Sequence, residues 1–334
     1  MTKTKAKKKY CSIFRSNLEQ AIDIAENIRV RIKDFPEHLE ALKKCPFWNF
    51  YRPFHEGRII RDDTKRTQKG AEHIFNSFNG RKQVFEIQGK EFKSTADQLA
   101  VIFGLKRIQF GEEEEYSVTH PEPQIQAAQT TFWETYLKGV TMIEKKDIID
   151  SLYAAAEDVT KPKDFVRLLG VYHCAAIFFP NQSGDKLSKM FLKYVFAMDQ
   201  VSWPDVIHSY LLEALREAKK PIIRLRGCTV YILFWFAEIT HFISKYDGER
   251  GNSKPRFVRW NSKVLAEKIV SQGMTSLRQD LTGSFIDPLD EGEQSLITPT
   301  ELRQANSDAT SEMVRGIERD EDCGSSPDRN AEDL

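Results

Sequence analysis

The chain has no CxxC pair, no HExxH, no GxGxxG, no GxSxG and no DxDxDG loop. Those absences remove the familiar signatures of zinc sites, dinucleotide binding, serine hydrolysis and EF-hand calcium binding. Five cysteines, Cys11, Cys45, Cys174, Cys228 and Cys323, stand far apart and odd in number, which argues against a disulfide framework and for a reducing compartment, cytosol or nucleus. The amino terminus lacks the apolar core and cleavage site of a secretory signal, so secretion is not expected. No long apolar run exists either. The longest, Thr229 to Ile243, is too short for a comfortable membrane span and carries Glu238 and His241 inside it, so a buried helix is expected and no membrane.

Net charge is absent as a total, yet the total hides a split. From Asp280 to Leu334 there are 15 acidic residues against 4 arginines, so the rest of the chain carries the matching positive excess. The first nine residues hold five lysines and nothing to bury, which predicts a solvated, disordered arm with the composition of an import signal or a nucleic-acid contact.

What is present is apolar and aromatic: a hydrophobic fraction of 40% with 22 Phe, 10 Tyr and 5 Trp, enough for a sizeable core. Phe14, Leu18, Ile22, Ala25, Ile28 and Ile32 recur at helical spacing, predicting a helix that ends near Phe35-Pro36. Phe47, Trp48, Phe50, Tyr51 and Phe54 crowd a proline-broken stretch, which reads as an aromatic joint in the core, with base stacking as the sharper alternative. The stretch 84–93 reads as two short strands around Gln88-Gly89. Thr95 and Gln98 then form a capping box, and Gly104 ends the helix they start. Phe110 to Gln126 is acidic and proline-bearing and reads as a surface loop. Helices follow around Ile148, Leu152 and Ala155, from Pro162 onward, through Val206 to Ala218, and around Trp235, the expected centre of the fold. Beyond about residue 272 the apolar residues lose any period.

The fold expected is therefore mainly α: one multi-helix domain over residues 12–272 with a small β-hairpin, a basic disordered tail over 1–11 and an acidic disordered tail over 273–334. The seven histidines show no metal-ligand spacing. His173 and Cys174 are neighbours that point about 100° apart on a helix, so His173 reads as a satisfied core histidine and not as the base of a Cys nucleophile. No catalytic constellation emerges, and no cofactor or metal is expected. The basic run containing Lys254, Arg256, Arg259 and Trp260 is the candidate nucleic-acid contact, set against the plainer reading of core aromatics with arginines outward.

The order of the stretches 85–105, 176–215, 226–242 and 255–260 resembles the plant mobile domain family, catalogued as aminotransferase-like, and the related domain found beside ubiquitin-like-protein protease domains in plant transposon proteins. The positions that carry the likeness are Thr95, Gly104, Leu105, Phe179, Pro180, Ser183, Gly184, Trp203, Gly227, Cys228 and Trp235. Two departures stand beside them: Gln98 near the helix start, where an acidic residue is usual, and Ser94 before the threonine, where an apolar one is. The resemblance implies a nuclear protein of transposon origin, with relatives linked to silencing of repeated elements and to plant development. It implies partners among nuclear proteins or chromatin. No lysine sits in a recognisable pyridoxal-phosphate context, so the family's catalogued name implies no cofactor here.

Overall fold

In this computed structural model, residues 13–301 are described, apart from 17, 66, 110–122, 182–185, 276, 279 and 299. The expected basic arm, Ser183, Gly184, most of the acidic 110–126 stretch and residues 302–334 thus lie outside the described residues.

The mainly helical expectation holds. The longer helices are α1 (Glu19–Arg31), α2 (Pro36–Lys44), α3 (Trp48–His55), α4 (Gln68–Asn76), α5 (Ala96–Phe103), α6 (Pro123–Leu137) and α7 (Lys145–Glu157). They are followed by α8 (Pro162–His173), α9 (Leu192–Phe196), α10 (Trp203–Glu217), α11 (Tyr231–Thr240), α12 (Ser262–Gln272) and α13 (Glu291–Ile297). Strands are short: β1 (Ile13–Phe14), β2 (Phe78–Asn79), β3 (Val84–Ile87), β4 (Lys90–Phe92), β5 (Ile108–Gln109), β6 (Met142–Glu144), β7 (Lys186–Ser188), β8 (Arg224–Leu225) and β9 (Thr300–Glu301).

Every residue of α11 is buried, including Glu238, which makes this helix the axis of the core. Helices α4, α5 and α12 pack directly on it, while α7, α8 and α2 form a second layer reached through α3 and the aromatic joint. Most of that joint is core: Phe50 lies 5.2 Å from Phe103, 5.2 Å from Phe178 and 5.5 Å from Phe257, ring centre to ring centre. Where α4 crosses α12 the backbones nearly touch. A Cβ on Gly70 would stand 2.5 Å from the Ala266 Cα, so only glycine permits that approach.

The hairpin is formed as read, with one strand more. Phe78, Phe85 and Phe92 align across β2, β3 and β4, and Gln88 and Gly89 both take positive φ, the geometry of a tight two-residue turn. The helix α1 starts later than the apolar stripe: Phe14 sits in β1, paired parallel with β8, and Leu18 precedes the first helical residue. Helix α8 ends in a π turn over Cys174–Phe178, closed by the Phe179 amide donating to the Cys174 carbonyl at 2.8 Å.

Two expectations need correction. The stretch read as a loop to residue 126 is helical from Pro123 onward, because Phe132 and Leu137 find buried sites that anchor α6. The boundary drawn at 272 also falls too early. Residues 280–298 run back across the body as a strap: Leu281 is buried, Phe285 and Ile286 pack on the core, and Glu293 in α13 is enclosed. Its apolar residues are too sparse to show a period, so their burial depends on sites that the rest of the chain prepares.

Candidate functional site: the Arg256 carboxylate cluster

The basic run proposed to touch nucleic acid is placed by a 3-10 turn, Arg256–Arg259, that packs on α5 and sets Phe257 5.7 Å from Phe234 of α11, ring centre to ring centre. Its arginines do not face solvent. Arg256 has no exposed surface, and Arg259 and Trp260 are buried beside it, so of the four proposed contacts only Lys254 is reachable. The reason is that each finds an acidic partner inside. Arg256 donates through Nε and Nη2 to the Glu293 carboxylate at 2.8 and 2.6 Å, a bidentate fork, and through Nη1 to Glu238 Oε2 at 2.9 Å. Its remaining donors reach the Asp287 and Pro288 carbonyls at 3.3 and 3.0 Å. The Trp260 indole donates to the other oxygen of Glu238 at 2.7 Å.

Arg259 joins the cluster through Nη2 to Glu293 at 3.2 Å and is steadied by the Ser253 carbonyl at 2.7 Å. Asp287 receives Lys245 at 2.7 Å, and Lys254 pairs with Asp290. Burial opposes the Arg256 charge, but its hydrogen bonds to Glu293 and the charge of Glu238 outweigh it and hold the guanidinium above its usual value. Burial lifts the Glu238 carboxyl above the ordinary range against the pull of Arg256 and Trp260. For Asp287 the balance reverses: burial raises it, yet the Lys245 hydrogen bond and charge bring it below.

Glu293 has two roles in one side chain. Besides Arg256 it accepts the Asp290 amide at 3.3 Å, while Asp290 accepts the Glu293 amide at 3.0 Å, so a capping box opens α13 at the same point where it meets the body.

Of the positions carrying the family likeness, Thr95 and Trp235 are joined through Gln98. The Thr95 hydroxyl accepts from the Gln98 amide at 3.2 Å, and Gln98 Oε1 accepts from the Thr95 amide at 3.1 Å and from the Trp235 indole at 3.0 Å. Gln98 Nε2 then donates to the Gly283 carbonyl on the strap at 2.8 Å. Gly104 takes a left-handed conformation at the end of α5, and Leu105 after it is buried. The Pro180 carbonyl accepts the Gly227 amide at 2.9 Å. Phe179 stacks on Phe191 at 4.5 Å, Trp203 lies 4.5 Å from Phe47, and Cys228 is buried beside Ser16.

One arrangement has the ingredients of chemistry. Ser94 Oγ lies 3.1 Å from His208 Nε2 and 2.8 Å from the Tyr231 hydroxyl. Burial pushes His208 down to about 4, so its imidazole is neutral near pH 7 and a tautomer can accept the serine proton. Asp205, the carboxylate one helical turn before His208, is held by Arg107 at 2.7 and 3.0 Å and by Ser202. With Ser94 and His208 both buried, the trio ties the hairpin exit to α10 and α11. Nothing in the sequence joins Ser94 to His208 across 114 residues.

His173 is a core residue, as expected, ringed by Phe47, Phe50 and Tyr51 and pushed down to about 3 by burial. It is not fully satisfied: its Nδ1 has no hydrogen-bond partner. Among the described residues no group of three or more His, Cys, Asp or Glu is placed to hold a metal ion, and no helix is long and apolar enough to cross a membrane. A groove of about 410 Å³ runs between the hairpin exit and the strap, lined in part by Lys93, Thr95, Asp97, Phe285, Leu289 and Ile297.

Sequence reading missed Glu293, Asp287 and the role of Glu238. Only Glu238 left a signal, as a lone carboxylate inside an apolar helix, which requires a buried cation. Comparison of the chain with family models, curated proteins and solved structures found no match.

Proposed function

We propose that this chain is a non-enzymatic, nuclear interaction module of transposon origin, of the plant mobile domain kind, that engages other proteins or chromatin. The observation that carries the reading is the strap: an acidic segment of the chain lies docked on the body through Arg256, Arg259 and Lys254. The polar groups most suited to holding a ligand thus hold a peptide. The ordered motif positions support it further, since Thr95, Gly104, Phe179, Pro180, Trp203, Gly227 and Trp235 serve caps, turns and core contacts. Silencing of repeated elements or a part in plant development is the role the family likeness would assign.

Direct nucleic-acid binding is the reading this geometry favours less, because Arg256 and Arg259 are enclosed. The test is to express the tagged full chain in plant cells, locate it, and recover it under native conditions for intact-complex mass measurement. A nuclear complex with a stoichiometric protein partner is the expected result. A tightly held organic cofactor or exclusion from nuclei overturns the reading.

A further inference from the structure

We propose that the recess formed by Glu238, Lys245, Lys254, Arg256, Arg259 and Trp260 is a binding site for an acidic peptide, occupied here by the chain's own residues 285–293, and that a partner segment of the same pattern competes for it. The proposal rests on the interaction-module reading and names the site and the partner chemistry.

Charge is the first argument. Without the strap, the recess presents four cations, Lys245, Lys254, Arg256 and Arg259, against one carboxylate, Glu238. The strap returns three carboxylates, Asp287, Asp290 and Glu293, which restores neutrality. An empty recess of that kind attracts a multiply acidic ligand: the Arg256–Glu293 pair is enclosed and weakly screened, while Lys254–Asp290 at the rim is half exposed and open to salt.

The mode of attachment is the second. The strap joins the body by few main-chain bonds, Ile286 N to the Glu238 carbonyl at 3.3 Å and Arg107 N to the Leu296 carbonyl at 2.8 Å among them. Most of its hold comes from side chains placed at intervals: the Phe285 ring 4.6 Å under the Arg256 guanidinium, then Asp287, Asp290 and Glu293 on successive cations. That is how a short linear motif is read, by an aromatic anchor followed by spaced acids. The pattern is aromatic-Ile-Asp-Pro-Leu-Asp, then two residues, then Glu.

The donor geometry selects carboxylate. Arg256 offers a planar fork to one carboxylate and its third nitrogen to a second, with the Trp260 indole completing that second site. The aromatic and the helix-capping acid add contacts that a polyphosphate strand does not have.

The experiment inserts a protease-recognition sequence after the exposed Thr275 of the full chain and cuts after folding. A fluorescent peptide of residues 280–300 is then added. The expected result is exchange of the resident strap for the labelled peptide with the folded body unchanged by near-ultraviolet dichroism. Affinity should weaken about tenfold between low and high salt. A peptide carrying Asp287→Asn and Glu293→Gln should bind weaker on the order of 100-fold. As a second readout on uncut protein, Glu293→Gln should raise binding of the added wild-type peptide. A strap that leaves only on global unfolding overturns the proposal, because it is then core. Tighter binding of labelled duplex DNA than of peptide to the cut protein also overturns it and assigns a phosphate site instead. Either failure leaves the interaction-module reading standing, since that reading is decided by location and by the partner or cofactor recovered with the uncut chain.

Discussion

Two neighbouring regions of this molecule were built by different rules. From Val84 to Leu105, a turn glycine, a capping threonine with its glutamine and a terminal glycine set the turn and both ends of α5 through residues within a few positions, and only Gln98 also reaches far, to Trp235 and Gly283. From Lys254 to Trp260, every charged group, and the Trp260 indole with them, reaches a carboxylate well away in the chain: Lys254 to Asp290, Arg256 to Glu238 and Glu293, Arg259 to Glu293, Trp260 to Glu238. The first region is organised by backbone chemistry and the second by charge brought together in the core. Local rules survive without the rest of the fold, whereas a buried pair exists only when both elements are in place.

The comparison can be broken most forcefully at Arg256. Arg256→Met leaves Glu238 enclosed without its paired cation and Glu293 with Arg259 alone, and the expected loss is about 3–5 kcal/mol in urea unfolding. A loss below about 1 kcal/mol, the size of a surface pair, would place the cluster with solvent-screened bridges.

Next comes acid. His208 belongs to neither region but meets the first at Ser94, and burial lowers its pKa in the fold to about 4 from an ordinary value of 6.5. Below pH 6.5 the unfolded chain takes up a proton that the folded one refuses, so stability present above that pH is lost as pH falls toward 4. The loss is about 3 kcal/mol by pH 4, and His208→Gln should remove that part of the slope in a pH series of melts. An unchanged slope would show that the histidine is solvated.

Gly70→Ala tests the close approach on which α4 and α12 depend. Its Cβ would meet the Ala266 backbone, and the expected cost is about 1–3 kcal/mol by thermal melting. The smallest effect belongs to the local region: Thr95→Ala should lose about 1 kcal/mol and leave the strap docked, read by amide exchange in α5 against α13. If exchange rises in both helices alike, the regions are one cooperative unit.

These contrasts explain what the sequence made legible. The hairpin turn, the α5 capping box and the buried helix around Trp235 were readable because their determinants lie close together in the chain. The start of α6 at Pro123 and the strap were not, since Phe132, Leu281 and Phe285 stand in polar surroundings and their burial is decided by distant surfaces. At the candidate site, the arginines were recognised but turned the wrong way. An Arg-rich run looks the same whether its partner is a phosphate outside or a carboxylate inside, and the only clue to the second was Glu238, eighteen residues earlier in an apolar helix.

The double engagement of Glu293 has a consequence for how the strap behaves as a switch element. The side chain that starts α13 is also the one the body grips. Winding of the helix and arrival at the recess therefore share one atom group, and neither is complete alone. A segment wired in this way responds as a logical conjunction: half-seated forms are depleted, and one missing carboxylate unsets both conditions together.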